Sequence, residues 1–207
     1  MPTTLIVPGL HSSGPDHWQS WFEERIPGAA RVIQRDWNDA NLPDWSSRVR
    51  RSIDRTPGRH WIVAHSFGAL AAVQAAADHD GRVAGAFLVA PAEPEAFGVE
   101  DYLPNERLSF PTVLVASATD SWISLKRAAQ LADLWGADFV NLGDAGHINA
   151  AAGYGPWPEG LAIFDRLRRR ALEQLEAEAA LRDGQAEENV FARGAARERH
   201  LRLATSA

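Results

Sequence analysis

A chain of 207 residues is long enough for one well-buried core and too short for two generous ones. Its formal net charge of −6, with no long basic cluster, speaks against nucleic acid as the main partner, and the absence of cysteine excludes disulfides, thiolate catalysis and cysteine metal sites. No basic leader precedes the apolar start "MPTTLIVPGL", and no stretch approaches the roughly 20 apolar residues that span a bilayer, so a cytoplasmic protein with no membrane partner is expected.

The first apolar run, "TTLIVPG", is short, partly β-branched and closed by turn residues, which marks a strand. Gly9, Leu10 and His11 follow it, and helical periodicity then covers Pro15 to Ile26. "RVIQRDW" reads as a second strand ending at Asp36 and Trp37, with a helix over Pro43 to Arg55. "HWIVAHS" is the third strand, and it runs straight into Ser66 and an alanine-rich helix over Phe67 to Asp78. "VAGAFLVAP" and "PTVLVAS" are the fourth and fifth; after the fifth come Asp120, Trp122 and a helix over Leu125 to Trp135. "ADFVNLG" is the sixth, followed by "GDAG" and His147.

A last helix from Pro158 has Leu161, Phe164, Leu167, Ala171 and Leu175 on one apolar stripe. Beyond Glu176 the stripe thins into alanines and charges of both signs, a charged helical extension or flexible tail. The expected division is therefore a main α/β domain over 1–175 and an extension over 176–207. Runs without strict alternation suit strands buried on both faces, so β-then-α repeated along the chain implies an α/β fold with a mainly parallel sheet. Ligands in such sheets bind outside the carboxyl ends of the strands, and that rule selects the loops to read.

Ser66 sits where a buried strand stops and a helix begins. It is either a helix cap or a nucleophile on a sharp turn that small flanking residues permit. The G-x-S-x-G pattern has Ala64 in place of its first glycine, which is still small enough for the turn. A serine hydroxyl attacks only if a base removes its proton and a third group orients that base. Ser66, Asp120 and His147 have the right types in the order Ser, Asp, His that the α/β-hydrolase fold requires.

Asp120 is selected as the acid over its rivals. Asp138 starts a strand at the wrong end of the sheet, Asp144 shares a tight loop with His147, and Asp36 precedes Ser66. His65 is read as a buried, hydrogen-bonded histidine rather than a second base. The developing oxyanion needs backbone N–H groups, one from Phe67 at the start of the following helix and one from Leu10 after the first strand. His11 either reaches the mouth of the site or bonds backbone. Trp37, Trp122 and Trp157 all fall in loops at the active end, where they line an apolar slot for an acyl group or serve as plain packing.

Several separated blocks carry a resemblance: "LIVPGLHSSGPDHWQSWFE", "VIQRDWNDANLPDW", "HWIVAHSFGALAA", "AFLVAPAEP", "VLVASATDSWIS" and "AGHINAAAGYGPWPEG". Together they resemble the serine hydrolase family of retinoblastoma-binding protein 9 and the bacterial YdeN-like proteins, over most of residues 4–170. The resemblance implies a compact six-stranded α/β-hydrolase without a cap domain, a triad of Ser66, Asp120 and His147, and no cofactor. Ser121 follows Asp120 where the family often has proline. Between Pro91 and Pro111 only a short loop stands where larger α/β-hydrolases insert a lid, so an open site for small or short-chain esters is expected. The leading expectation is an esterase working through an acyl-enzyme on a small-molecule ester. The alternatives are amide or peptide hydrolysis with the same parts, or a binding module that keeps the fold without catalysis. Without cysteine the chain cannot carry the L-x-C-x-E motif associated with the family's namesake.

Overall fold

Unbroken runs of Val, Ile, Leu and Ala give strands with no wet face: every residue of β3 (His60–His65), β4 (Val83–Val89) and β5 (Thr112–Ala116) is buried. The computed structural model describes residues 2–79, 81–177, 179 and 181. It adds β1 (Thr3–Val7), β2 (Ala29–Arg31) and β6 (Asp138–Asn141). The six strands form one sheet in the order β2-β1-β3-β4-β5-β6, parallel at every pairing.

Strand order reverses between β1 and β3, which pair from Thr3 opposite His60 to Val7 opposite Ala64. The carboxyl ends of these two strands are therefore neighbours, and the crevice above them is the topological switch point where open α/β sheets bind ligands. Ser66 and the Leu10 loop both emerge there.

Helices α1 (Trp18–Arg25), α2 (Leu42–Arg55), α3 (Phe67–Ala77) and α4 (Leu125–Trp135) fill the crossovers, and a fifth helix, α5, covers 158–177. Local chemistry sets most of their ends. His17 Nδ1 accepts the Gln19 N–H at the start of α1, so this helix begins three residues later than its periodicity suggests. The side chains of Asn41 and Ser124 cap α2 and α4, and Gly136 closes α4 in the left-handed conformation with φ 66°.

One sheet face presents Leu5, Val7, Ile62, Leu88 and Leu114 to a core shared with Val49 of α2, Leu70 of α3 and Leu131 of α4. The other face carries an aromatic cluster in which Phe87 meets Phe22, Trp157 and Phe164 with ring centroids 5.9–6.4 Å apart.

The second strand is a correction. "RVIQRDW" reads as a strand, but β2 ends at Arg31. As an edge strand it has only β1 to pair with, and β1 gives its last bond to this segment when Ile6 accepts the Val32 N–H. Residues Met1–Arg168 form one compact unit and Arg169–Ala207 a second, which is helical over 169–177. Apart from 176, 177, 179 and 181, the extension expected over 176–207 lies outside the described residues. Among the described residues, no helix is long and apolar enough to cross a membrane.

Candidate active site

Ser66 takes φ 54° and ψ −128°, a region that side-chain-bearing residues enter only when the surrounding structure forces them. The forcing is visible. Its N–H is held by the carbonyl of Val89 at 3.1 Å, and two glycines let neighbouring backbone press in. A Cβ on Gly9 would lie 2.7 Å from Ser66 Cβ, and one on Gly68 would lie 2.2 Å from the carbonyl oxygen of Pro8. Ser66 occupies the N-cap position of α3, yet its hydroxyl makes no cap hydrogen bond. The capping explanation for a serine here is therefore not what the geometry shows.

The hydroxyl is instead 2.9 Å from His147 Nε2. On the far side of the imidazole, Nδ1 lies 3.0 Å from both carboxylate oxygens of Asp120, whose side chain is fully buried. The Trp122 N–H also donates to Asp120 Oδ1 at 2.8 Å. Asp144, the rival in the His147 loop, is exposed.

The loops bearing Asp120 and His147 are clasped by two hydroxyls. Ser117 Oγ donates to the Gly143 carbonyl and accepts the Ala145 N–H, and Thr119 Oγ1 accepts the Gly146 N–H. In the loops and caps of the described residues no carbonyl accepts the N–H of Leu10 or Phe67, and Leu10 lines the same cavity as Ser66. Chemically, the arrangement offers a hydroxyl whose proton has an imidazole to go to, an acceptor for the imidazole's other proton, and two amides beside them.

A family model described as serine hydrolase matches residues 4–166. The chain belongs to the serine hydrolase family. This is the family its separated sequence blocks resemble, and solved structures agree with it. A YdeN-like hydrolase from Pectobacterium atrosepticum is 40% identical, with a TM-score of 0.79 over 83% of this chain and 92% of the other. The ydeN product of B. subtilis is 18% identical, with a TM-score of 0.69 over 81% and 98%. Est1E from Butyrivibrio proteoclasticus, solved with ferulic acid bound, is 14% identical, with a TM-score of 0.64 over 85% and 90%. At that identity the last two speak for the α/β-hydrolase fold alone. No curated protein matches the chain by sequence.

In this serine hydrolase the cavity at Ser66 has a volume of about 280 Å³. Leu10, His11, Trp122 and His147 line it with Ser66. His11 borders the cavity; its Nδ1 lies 2.9 Å from the side-chain oxygen Oδ1 of Asn38, and its main-chain N–H donates to the Trp37 carbonyl. Trp122, 52% exposed, leans over His147 with ring centroids 5.9 Å apart.

The other two tryptophans correct the slot expectation, because neither lines the cavity. Trp37 packs edge-on against Trp45. Trp157, 4% exposed, belongs to the aromatic cluster under the sheet with Trp18 and Phe22. A loop position near the carboxyl ends does not decide which way a large ring turns, and apolar burial wins here.

The lining also includes residues that sequence reasoning passed over, chiefly His17, Phe97 and Asn149. Phe97 comes from the loop between Pro91 and Pro111, where the short helical turns Glu95–Phe97 and Glu100–Tyr102 replace a lid. Arg127 ties that loop to α4 through Glu93 at 3.1 Å and through Glu100. His17 falls inside the helical periodicity read from Pro15 to Ile26, so its place as the N-cap of α1 and in the cavity wall emerges only from the structure. A separate cleft of about 400 Å³ runs along α2 between exposed arginines and aspartates and holds none of Ser66, Asp120 and His147.

Burial dictates the protonation of the inner histidines. His17 is pushed down to about 4, first by burial and then by the charges of Arg31 and His147. His65 is pushed well below the ordinary histidine range, again first by burial. Its Nε2 donates to the carbonyl of His147 at 3.0 Å, so it braces the loop that carries that imidazole.

Proposed function

We propose that the protein hydrolyses carboxylic esters of small molecules through an acyl-enzyme, with Ser66 as nucleophile, His147 as general base and acid, and Asp120 as the group that orients and stabilises the imidazole. The observation that carries this reading is the unbroken contact Asp120–His147–Ser66, with Oγ 2.9 Å from Nε2 and Nδ1 3.0 Å from the carboxylate, on a serine whose hydroxyl has no capping duty.

Ser66 Oγ attacks the ester carbonyl carbon as its proton passes to His147 Nε2. The carbonyl oxygen becomes an anion, which the N–H groups of Leu10 and Phe67 receive, the second at the positive end of α3. Asp120 accepts the hydrogen bond from Nδ1–H throughout and balances the imidazolium without being protonated itself. His147 then gives its proton to the departing alkoxide, and the alcohol leaves. Water repeats the sequence on the acyl-serine: it loses a proton to His147, attacks the carbonyl, and frees the acid as Ser66 recovers its proton.

Amide cleavage would use the same groups and needs firmer protonation of the leaving nitrogen. The small, open cavity favours short esters over long chains. The test is labelling with a fluorophosphonate, followed by kcat/KM on matched ester and amide panels. The wild type should label and turn over esters, while Ser66→Ala should fold, fail to label and lose about 10³-fold or more in kcat. Unlabelled wild type would leave a binding protein on a hydrolase fold.

A further inference from the structure

His17 and His65 stand side by side in the cavity wall next to Ser66, with rings edge to face and centroids 4.9 Å apart. Neither takes part in the proton transfers described above. Their existing hydrogen bonds fix their tautomers. The Gln19 N–H donates to His17 Nδ1 at 3.1 Å, so a neutral His17 carries its proton on Nε2. On His65 the assignment is reversed. Its Nε2 faces the carbonyl oxygen of His147 at 3.0 Å, which can only accept, so Nε2 bears the proton and Nδ1 keeps a bare lone pair.

Burial keeps both rings uncharged near neutral pH, with His17 at about 4 and His65 well below the ordinary range. His17 Nε2 and His65 Nδ1 have no hydrogen-bond partner among the described residues. A polar atom of a cavity wall that a bound group shuts off from water without pairing it costs more than a made bond gains. The wall beside the nucleophile therefore presents one uncharged donor and one uncharged acceptor to whatever occupies the cavity.

An ammonium group asks for acceptors only, and a carboxylate or phosphate asks for donors only. A hydroxyl satisfies one of each. We propose that His17 and His65 together recognise a hydroxyl carried by the substrate close to its scissile bond, so that the preferred substrates are short hydroxylated esters. The hydroxyl can sit on the acid, as in a hydroxy-acid ester, or on the alcohol, as in a partial ester of a polyol. This inference rests on the hydrolase reading above and names the substrate class of that site.

The experiment compares kcat/KM within matched pairs. For the acid side the pairs are p-nitrophenyl 2- and 3-hydroxybutyrate against p-nitrophenyl butyrate, and for the alcohol side ethylene glycol monobutyrate against propyl butyrate. The wild type should favour the hydroxylated member of at least one pair by about ten-fold or more, and the pair that responds assigns the side. His17→Asn keeps a cap acceptor for the Gln19 N–H and removes the Nε2 donor. His65→Gln keeps a donor for the His147 carbonyl and removes the Nδ1 acceptor. Each substitution should bring the ratio to within about two-fold of unity. Because the ratio is taken inside one variant, a general loss of activity or of folded protein cancels.

Equal rates within every pair for the wild type, as a water held between the rings would give, overturn the proposal. So does a preference that survives either substitution. Wild type that neither takes up fluorophosphonate nor cleaves any ester brings down the hydrolase reading and this inference with it, whereas ester turnover without a hydroxyl preference removes this inference alone.

Discussion

Asp120 shows how a single side chain is fixed at the site. Its carboxylate is fully buried, which is tolerable for a charge only when its lone pairs are met. The Trp122 N–H and both contacts to His147 Nδ1 meet them. Asparagine keeps the size but turns an N–H toward a ring nitrogen that also carries one. The imidazole then holds the wrong tautomer or rotates away from Ser66. Asp120→Asn should therefore cost about 10⁴ in kcat, the scale of losing an orienting aspartate in serine proteases. Asp144→Asn, on an exposed neighbour, should stay within about two-fold, since surface changes of this kind are nearly neutral. Steady-state kcat on a short ester, with circular dichroism as the folding control, decides between them. An Asp144 variant that is the more damaged of the two would move the orienting role to that residue.

Elements were legible where one local rule set both ends. α4 runs from the residue after a serine cap to a left-handed glycine, and its sequence limits coincide with its structural ones because both signals are written in neighbouring residues. β2 was less legible, because its length depends on where β1 stops giving bonds, a fact of the other strand. The Ser66 turn could be read from a strand, small residues and a helix in succession. His17 and Phe97 could not, since their places in the cavity arise only when distant segments close over Ser66. The clasp between the loops after β5 and β6 was equally invisible: a serine at 117 and backbone at 143–145 meet across the sheet. It holds the loop that bears Asp120 against the loop that bears His147. Ser117 is 1% exposed, and Ser117→Ala removes both side-chain bonds of the clasp, although the Ala145 N–H keeps the Gly143 carbonyl and that carbonyl keeps the Ala118 N–H. We expect a loss of about 1–2 kcal/mol in urea-unfolding free energy, the net worth of two hydrogen bonds whose backbone groups stay paired. We also expect kcat to fall by roughly 10 to 10²-fold under conditions where the variant is still folded, as the Asp120–His147 geometry loosens. Full activity in a destabilised variant would show that the clasp serves stability only.

Across the whole molecule, the same burial that keeps the inner histidines neutral makes stability depend on pH. His17 is held at about 4 by burial, Arg31 and His147. Burial also lowers His65 and His60. In the unfolded chain these rings recover an ordinary pKa of about 6.5. Between that value and their native ones, the unfolded state binds more protons than the folded state, so stability rises with pH. Their contribution is complete above pH of about 6.5 and is lost as pH falls toward about 4 for His17, and lower for His65. For His17 alone the lowering from 6.5 to about 4 corresponds to about 3 kcal/mol over that window, at 1.36 kcal/mol per pKa unit. Most carboxylates titrate below this window, so the slope between pH 6.5 and 5 belongs mainly to the histidines. Urea unfolding at pH 7.5, 6.0 and 5.0 should show the free energy dropping steadily on acidification. His17→Asn, which keeps a cap acceptor but has no proton to gain, should give a shallower drop. A wild-type stability that is flat between pH 7.5 and 5.0, or a slope unchanged in His17→Asn, would mean that His17 binds its proton equally well in the folded and unfolded chain, so that burial does not hold it down. The donor assigned to the cavity wall would then become a cation below pH of about 6.5, and there the hydroxyl selectivity argued from it would give way to selection for an anionic group.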